Sequence, residues 1–221
     1  ASVLAYQNRK LTSPLIPYVF AVTMITQAFF VLLMAFVTNP FNTVPFAPAN
    51  GRGLNPLLEN MGMFFHPPTL LLGYMGFTIP FAFAIAALAT RKLNSEWLTS
   101  IRRWTLVGWV FLALGNIFGM QWAYVELGWG GFWGWDPVEN ASLLPWLTAT
   151  AFLHSAMIQK RRGMLKIWNM VLIIITFTLT IFGTFLTRSG VLSSVHTFGQ
   201  SALGPFFIAF IMVALIGSLL L

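Results

Sequence analysis

Six apolar stretches of about 20 residues each constrain the fold of this chain more than any other feature of its sequence. A helix of about 20 apolar residues is long enough to cross the hydrocarbon core of a bilayer. Lipid offers the backbone no hydrogen-bond partners, so such segments are expected to be helical. The sequence therefore predicts an all-α, polytopic transmembrane helix bundle with about six spans. The predicted spans cover residues 15–37, 67–90, 104–125, 141–158, 167–187 and 204–221.

Composition agrees with a membrane protein, since 57% of the residues are hydrophobic and 8% are charged. Soluble domains carry about 25% charged residues. The net charge of +7 is therefore interpreted as a record of topology, and no nucleic-acid partner is predicted. The chain has no cysteine, which excludes disulfides, thiolate metal ligands and a catalytic thiol. It begins with Ala1 and ends inside an apolar run. We therefore expect residues 1–221 to be a single transmembrane region from within a longer chain.

The charged residues predict the orientation of the spans. Ten of the twelve basic residues fall at one end of the predicted bundle, and four of the five acids fall at the other. Basic loops stay in the cytoplasm, so the acidic end is expected to face outward. In a bacterium this predicts a multi-pass protein of the inner (cytoplasmic) membrane whose outer loops face the periplasm. The basic residues concerned are Arg9, Lys10, Arg91, Lys92, Arg102, Arg103, Lys160, Arg161, Arg162 and Lys166.

The outer loops are predicted at residues 38–66, 126–140 and 187–203. The first is rich in proline and glycine, which interrupt regular structure. The third carries a weak helical stripe and is expected to lie along the membrane surface. The second is rich in tryptophan and glycine and predicts a shaped aromatic surface for a flat ligand. An interfacial aromatic belt is the alternative, but belts do not need alternating glycines. The stretch reads Trp129-Gly130-Gly131-Phe132-Trp133-Gly134-Trp135-Asp136.

The three histidines of the chain are candidate iron ligands. His66 precedes Pro67 and Pro68, which are expected to open the second span, and His196 lies in the third outer loop. Two neutral imidazoles can hold haem from opposite faces. His154 lies within the fourth span, where an ionisable group is a functional hypothesis by default. Ordinary hydrogen bonding is the alternative for each of the three.

Charged residues near the tryptophan-rich stretch have two interpretations each. Asp136 and Glu139 are placed to cap the fourth span, or to contact a bound ligand directly. Arg52 and Arg188 are the outward cations and are candidate partners for haem propionates. A loop anchor or a contact with lipid phosphate is the alternative for these two arginines.

Four separate blocks of sequence resemble a known family. The run from Trp129 to Pro137 resembles the WWD signature of haem-handling membrane proteins. Three more blocks resemble the cytochrome c maturation protein F (CcmF) branch of that family: the continuation to Leu147 with His154 and Ser155, residues 51–58 with His66-Pro67-Pro68, and residues 187–196.

The resemblance implies a periplasm-facing haem lyase that works within a complex. It implies that the WWD region binds haem between His66 and His196. Haem would come from the haem chaperone CcmE and be joined, with CcmH and CcmI, to the Cys-X-X-Cys-His motif of an apocytochrome c. His154 would bind a separate transmembrane haem b, whose second ligand lies outside these 221 residues. That haem b is a candidate reductant, with quinol as its electron source.

Several alternatives stay open at this stage. The related haem lyase for nitrite-reductase cytochromes shares these blocks. A CcmC-type protein lacks a counterpart of His154. A b-type electron-transfer or quinol-oxidising cytochrome would explain His154 but not the outer loops. A non-haem transporter would need more charges within its spans.

Overall fold

The computed structural model describes residues 13–43, 45–47, 49–51, 53–93, 96–196 and 201–221, and of Glu96 only the backbone. This described part of the chain contains seven α-helices and no β-strand. Five helical segments are long and apolar enough to cross a membrane, and a further apolar helix has 17 residues. The predicted all-α, polytopic architecture is confirmed. The helices are α1 Ile16–Leu32, α2 Met61–Gly76, α3 Thr78–Ala89, α4 Glu96–Glu126, α5 Pro137–Arg162, α6 Lys166–Ser189 and α7 Gly204–Leu220.

Helix α2 begins at Met61, six residues before the predicted start of the second span. Asn60 sets this start, because its side chain accepts a 2.6 Å hydrogen bond from the N–H of Gly62. Pro67 and Pro68 therefore lie inside the helix, and the expectation that they open it is wrong. His66 consequently belongs to a helix and not to the preceding loop. The same span is interrupted at Phe77 before α3, where Pro80 has no N–H to donate to the carbonyl of Gly76.

The helices also extend further than predicted at the basic end of the bundle. Arg102 and Arg103 lie within α4, whereas the sequence analysis placed them in a connector. Lys160, Arg161 and Arg162 form the last turn of α5 rather than a loop. The negative end of α5 stabilises its three cations, whereas Arg102 and Arg103 near the start of α4 gain no such stabilisation. In both helices the apolar stems of these side chains can lie along the helix surface, so apolarity alone underestimates the two lengths.

Helices α2 and α4 approach closely along a series of glycines. A Cβ on Gly73 would lie 2.7 Å from the backbone nitrogen of Leu112, and one on Gly115 would lie 2.7 Å from the backbone of Leu70. Small residues permit such contacts between helix backbones in membranes. This crossing fixes α2 against α4 and thereby positions His66.

Helices α5 and α6 are joined near the basic end by buried polar side chains. Asn169 donates a 2.6 Å hydrogen bond to Gln159, and Ser155 donates to Asn169. All three side chains are buried. Unpaired amides are costly in an apolar interior, so the network fixes the register of the two helices.

Outer loop three differs from its prediction. Helix α6 continues to Ser189, and Gly190 ends it in the left-handed conformation with φ of 66°. Residues 190–196 form bends and turns, so the expected helical stripe is wrong for this segment, while residues 197–200 lie outside the described part. Outer loop one is shorter than predicted and includes a 3-10 turn at Pro56–Leu58.

Candidate functional site

The tryptophan-rich stretch connects α4 to α5 through residues 127–136. Gly128 and Gly130 have φ angles of 63° and 73°, which favour glycine, and Trp135 is in the same left-handed region with φ of 56°. These residues turn the chain so that Asp136 becomes the N-cap of α5. The glycines of this loop are therefore explained by the backbone turn as well as by the close approach of a flat ligand.

The rings of the stretch do not form one flat surface. The indole of Trp129 packs against Gly134, where a Cβ would lie 2.5 Å from the Cε3 atom of that ring. Phe132 stacks on Tyr124 of α4 with ring centroids 4.3 Å apart. Trp135 is 72% exposed. Of the aromatic residues in the stretch, Trp133 is the one that lines the cavity beneath it.

His66 is held against α4 by a hydrogen bond and by a glycine. Its Nδ1 lies 2.7 Å from the carbonyl oxygen of Gly115. A carbonyl only accepts, so Nδ1 carries the proton and the lone pair is on Nε2. The ring lies on Gly119, where a Cβ would be 2.7 Å from Cε1 of the imidazole. No motif or spacing in the sequence identifies Gly119 as part of the site.

His196 is held by Asp136. Its Nδ1 is 3.0 Å from Oδ2 of Asp136, and the side chains are 12% and 9% exposed. The same oxygen accepts hydrogen bonds from Ser194 Oγ at 2.7 Å and from the N–H of Val138 at 3.0 Å. Asp136 therefore caps α5 and also orients His196. Its carboxylate places the proton on Nδ1 and leaves the Nε2 lone pair available.

The structure brings His66 and His196 together. Their ring centroids are 6.4 Å apart, with an interplanar angle of 62°. Metal–imidazole bonds are about 2 Å long, so two rings that share one metal ion have centroids about 6 Å apart. Both rings have Nδ1 bound to protein oxygen, the arrangement found for metal-ligating histidines. The separation of the rings and the hydrogen bonds at both Nδ1 atoms are those that one metal ion shared by two imidazoles would require.

A cavity of about 320 Å³ lies beside the two histidines. Its wall includes Trp133, Glu139 and Arg188, together with apolar residues of α2 and α4 such as Leu70 and Met120. Pockets that bind organic ligands are typically 300–1,000 Å³ and mostly apolar with a few polar groups. The composition of the wall suits an amphipathic molecule with an apolar ring and acidic substituents.

The indole Nε1 of Trp133 is buried and has no hydrogen-bond partner in the described part of the chain. A buried unsatisfied donor costs about 1–3 kcal/mol, so an acceptor supplied by a ligand would remove this cost. Arg188, at the end of α6, lines the same cavity. Arg52, the other predicted propionate partner, lies outside the described residues.

Glu139 and Glu126 support the site by accepting hydrogen bonds from the aromatic loop and from the residue that caps α2. Glu139 Oε2 accepts from the N–H groups of Gly134 and Asp136 at 3.0 and 3.1 Å, which completes a capping box. Glu126, at the end of α4, accepts a 2.7 Å hydrogen bond from the Asn60 amide that caps α2. The two acids thus connect the aromatic loop and the start of α2 to the same end of the bundle.

His154 is separate from this site. It lies 18 positions after Asp136 (154 − 136) in α5, about 27 Å along the helix axis. Its side chain is exposed, and its Nδ1 is 2.8 Å from the carbonyl oxygen of Thr150. The Nε2 lone pair is therefore again available for a metal. The other two histidines are at the opposite end of the bundle, so neither can share a metal with His154.

These features define a class: a multi-pass membrane protein that presents two metal-competent imidazoles beside an aromatic loop. The sequence model of the family described as cytochrome C assembly protein matches residues 1–192. The chain therefore belongs to the cytochrome C assembly protein family.

Relatives agree with this assignment. The chain is 51% identical over 194 residues to the cytochrome c-type biogenesis protein CcmF of Haemophilus influenzae, covering 87% of this chain and 30% of that protein. It is 47% identical over 220 residues to CcmF of Escherichia coli, covering 99% and 34% of the two chains. It is also 47% identical over 169 residues to the cytochrome c-type biogenesis protein NrfE of Haemophilus influenzae, covering 76% and 27%.

A solved structure of the cytochrome c heme lyase CcmF has the same fold. It matches 98% of this chain and 33% of its own with a TM-score of 0.78 and 37% sequence identity. The chain thus spans about a third of the length of the relatives that it matches.

Proposed function

We propose that this chain forms the haem-presenting region of a cytochrome c haem lyase. Haem, the transferred substrate, is held between His66 and His196 at the tryptophan-rich end and is ligated to the Cys-X-X-Cys-His motif of an apocytochrome c. One observation carries the proposal. The two imidazoles lie 6.4 Å apart, and both have Nδ1 bound to protein oxygen. Membership of the cytochrome C assembly protein family supports it.

In this proposal the chain positions the substrate and supplies no nucleophile. The two axial nitrogens fix the iron, and Arg188 and Trp133 Nε1 are the groups placed to contact the propionates. Arg52 is assigned the same role from the sequence. Each thioether forms when a cysteine sulfur of the apocytochrome bonds to one vinyl carbon and the thiol proton goes to the other. The absence of cysteine from the chain agrees with this division, since the substrate brings both thiols.

The remaining residues of the WWD stretch are proposed to form the platform on which haem meets the apocytochrome. The exposed indole of Trp135 and the exposed ring of Phe132 support an outward-facing contact with a partner. The haem chaperone CcmE, CcmH and CcmI are proposed as partners on the basis of family resemblance. The basic residues at the opposite end support an orientation in the bacterial inner membrane with the WWD loop in the periplasm.

His154 is proposed to bind a transmembrane haem b, which would supply one-electron redox chemistry. Its exposed position on α5 and its free Nε2 support this assignment. The second axial ligand would come from the part of the protein outside these residues. Reduction of the substrate iron, with quinol as electron source, is the use proposed for that chemistry.

A haem lyase for nitrite-reductase cytochromes is the second candidate. It is supported by 47% identity to NrfE over 169 residues. The comparison with CcmF of Escherichia coli has the same identity over 220 residues and is therefore the stronger support.

Replacement of His66 or His196 by glycine in the full-length protein tests the proposed function. Each variant is expected to abolish maturation of a reporter cytochrome c, measured by covalent haem staining, and to lose haem from the tryptophan-rich end. Added imidazole is expected to restore both, because the glycine leaves space for a free ligand. Normal maturation in either variant, or loss that imidazole does not restore, would contradict the ligand role.

His154→Gly is the matched control for these variants. It is expected to remove the absorption of a haem b and to keep the haem whose binding depends on His66 and His196. A common loss of all haem in the three variants would indicate a general folding defect instead.

A further inference from the structure

We propose that the basic end of the bundle carries a binding site for an anionic phospholipid. The site is a cavity of about 530 Å³ between the first part of α4 and the last part of α5, called here the basic cavity. This proposal is independent of the site at His66 and His196, which lies at the other end of α5. His154 follows Phe152 by two positions but does not line the cavity. The residues that carry the argument are Arg102, Leu106, Phe152, Met157, Lys160 and Arg161.

Three cations from two helices line the basic cavity. Arg102 comes from α4, whereas Lys160 and Arg161 come from the last turn of α5. Among the residues whose side chains are described, no carboxylate lies within salt-bridge distance of any of these three. Guanidinium groups bind phosphate oxygens through paired hydrogen bonds, and lysine adds a point charge. The cavity therefore offers a phosphate group three positive partners.

The helix dipoles do not change the sign of the net charge at the basic cavity. The start of α4 contributes about half a positive charge and the end of α5 about half a negative charge. Both helix ends border the cavity, so these contributions nearly cancel. Glu96 is the single acid of the sequence that falls at the basic end of the bundle, and it precedes Arg102 by six positions. Even one nearby acid would leave the three side chains with a net positive charge.

The apolar part of the cavity distinguishes a lipid from a free phosphate ion. Leu106 and Met157 are 40% and 52% exposed, and Phe152 is buried behind them. Free phosphate makes no use of such a wall, whereas the glycerol and upper acyl chains of a phospholipid would cover it. Basic pockets between transmembrane helices at this depth are typical sites for anionic lipid headgroups.

The chain offers a matched pair of control residues. Arg103 and Arg162 are exposed cations immediately next to Arg102 and Arg161, and neither lines the basic cavity. A double substitution at Arg102 and Arg161 and one at Arg103 and Arg162 remove the same charge from the same end of the bundle. They differ only in whether the charge faces the cavity.

The test uses the full-length protein, so that the rest of the chain is free to occupy the cavity if that is its role. Native mass spectrometry would count lipids retained by the purified protein after exchange into vesicles of phosphatidylglycerol or phosphatidylethanolamine. Each lost cation is expected to weaken binding about fivefold, so R102Q/R161Q should lower phosphatidylglycerol retention by about 25-fold. R103Q/R162Q should change it less than about twofold, and phosphatidylethanolamine should not be retained by the wild type.

Four results would overturn the proposal. They are equal retention of the two lipids by the wild type, equal loss in both double variants, displacement of the lipid by millimolar inorganic phosphate, and no retained lipid at all. The wild-type comparison of the two lipids keeps the proposal testable if R102Q/R161Q does not fold. The phosphate arm separates a headgroup site from a site for free phosphate.

Discussion

Asp136→Asn is the substitution that most sharply tests the proposed haem site. One carboxylate oxygen accepts hydrogen bonds from Val138, Ser194 and His196. Asparagine keeps an acceptor oxygen and is an equally good N-cap, so α5 should form normally. What it removes is the negative charge beside His196 Nδ1. The variant therefore separates the electrostatic role of Asp136 from its capping role.

The size of the effect follows from the type of hydrogen bond. Bonds to a charged partner contribute about 1.5–3 kcal/mol and neutral ones about 0.5–1.5, so the loss is about 1 kcal/mol. This corresponds to about fivefold weaker ferric haem binding, somewhat less than the about 10–100-fold losses that are typical when a group orienting a metal ligand is replaced. A carboxylate stabilises the ferric state, so the midpoint potential should rise by about 40 mV. Asp136→Ala also removes the cap, which costs about a further 0.5–2 kcal/mol of stability.

The assay is a redox titration and a haem titration of full-length protein in a His154→Ala background, so that only haem at the tryptophan-rich end is observed. Glu59→Gln is the control, since Glu59 is an exposed acid outside the cavity wall. An unchanged potential and affinity in Asp136→Asn would refute the role of Asp136 in orienting an axial ligand. A lower thermal stability than in Glu59→Gln would indicate that capping was not preserved.

Three further substitutions test other parts of the site. Gly119→Ala would place a Cβ 2.7 Å from the His66 ring, so it should lower haem retention at the tryptophan-rich end at least about tenfold. Gly217→Ala in α7 meets nothing within 4 Å and should be silent. Equal haem contents in the two variants would contradict the close packing of His66. Trp133→Phe removes the unpaired buried donor, so it should raise the free energy of unfolding of the haem-free protein by about 1–3 kcal/mol and weaken haem binding about fivefold. If stability and haem affinity both rose or both fell, the assignment of Trp133 would be refuted. His154→Ala should lower the reduced b-type absorption of the full-length protein and leave the part that depends on His66 and His196. A spectrum identical to that of the wild type would exclude His154 as a ligand.

The sequence was sufficient to predict the fold class, because a bilayer permits few alternatives to helices for long apolar segments. Helix ends were predicted less well. The start of α2 depends on one hydrogen bond that the N–H of Gly62 donates to Asn60, which outweighs the two prolines that follow. The start of α4 and the last turn of α5 contain cations, which lower the local hydropathy without ending a helix.

The candidate site was only partly predictable for a different reason. Its two histidines, His66 and His196, and Asp136 were visible in the sequence as polar residues at informative places. The contact between Asp136 and His196 joins residues 60 positions apart, and the packing of Gly119 on His66 joins two helices. Such pairings depend on how the helices pack against one another, which hydropathy does not encode.

The hydrogen bonds that the two imidazoles donate to Gly115 and Asp136 have a consequence for turnover. Both bonds are made by the protein itself, so neither ring depends on iron to hold its orientation. A ligand that leaves such a site does not trigger a rearrangement that must be reversed before the next one binds. On the proposed function, the interval between successive cytochromes would then be set by delivery of haem and departure of product rather than by recovery of the binding site.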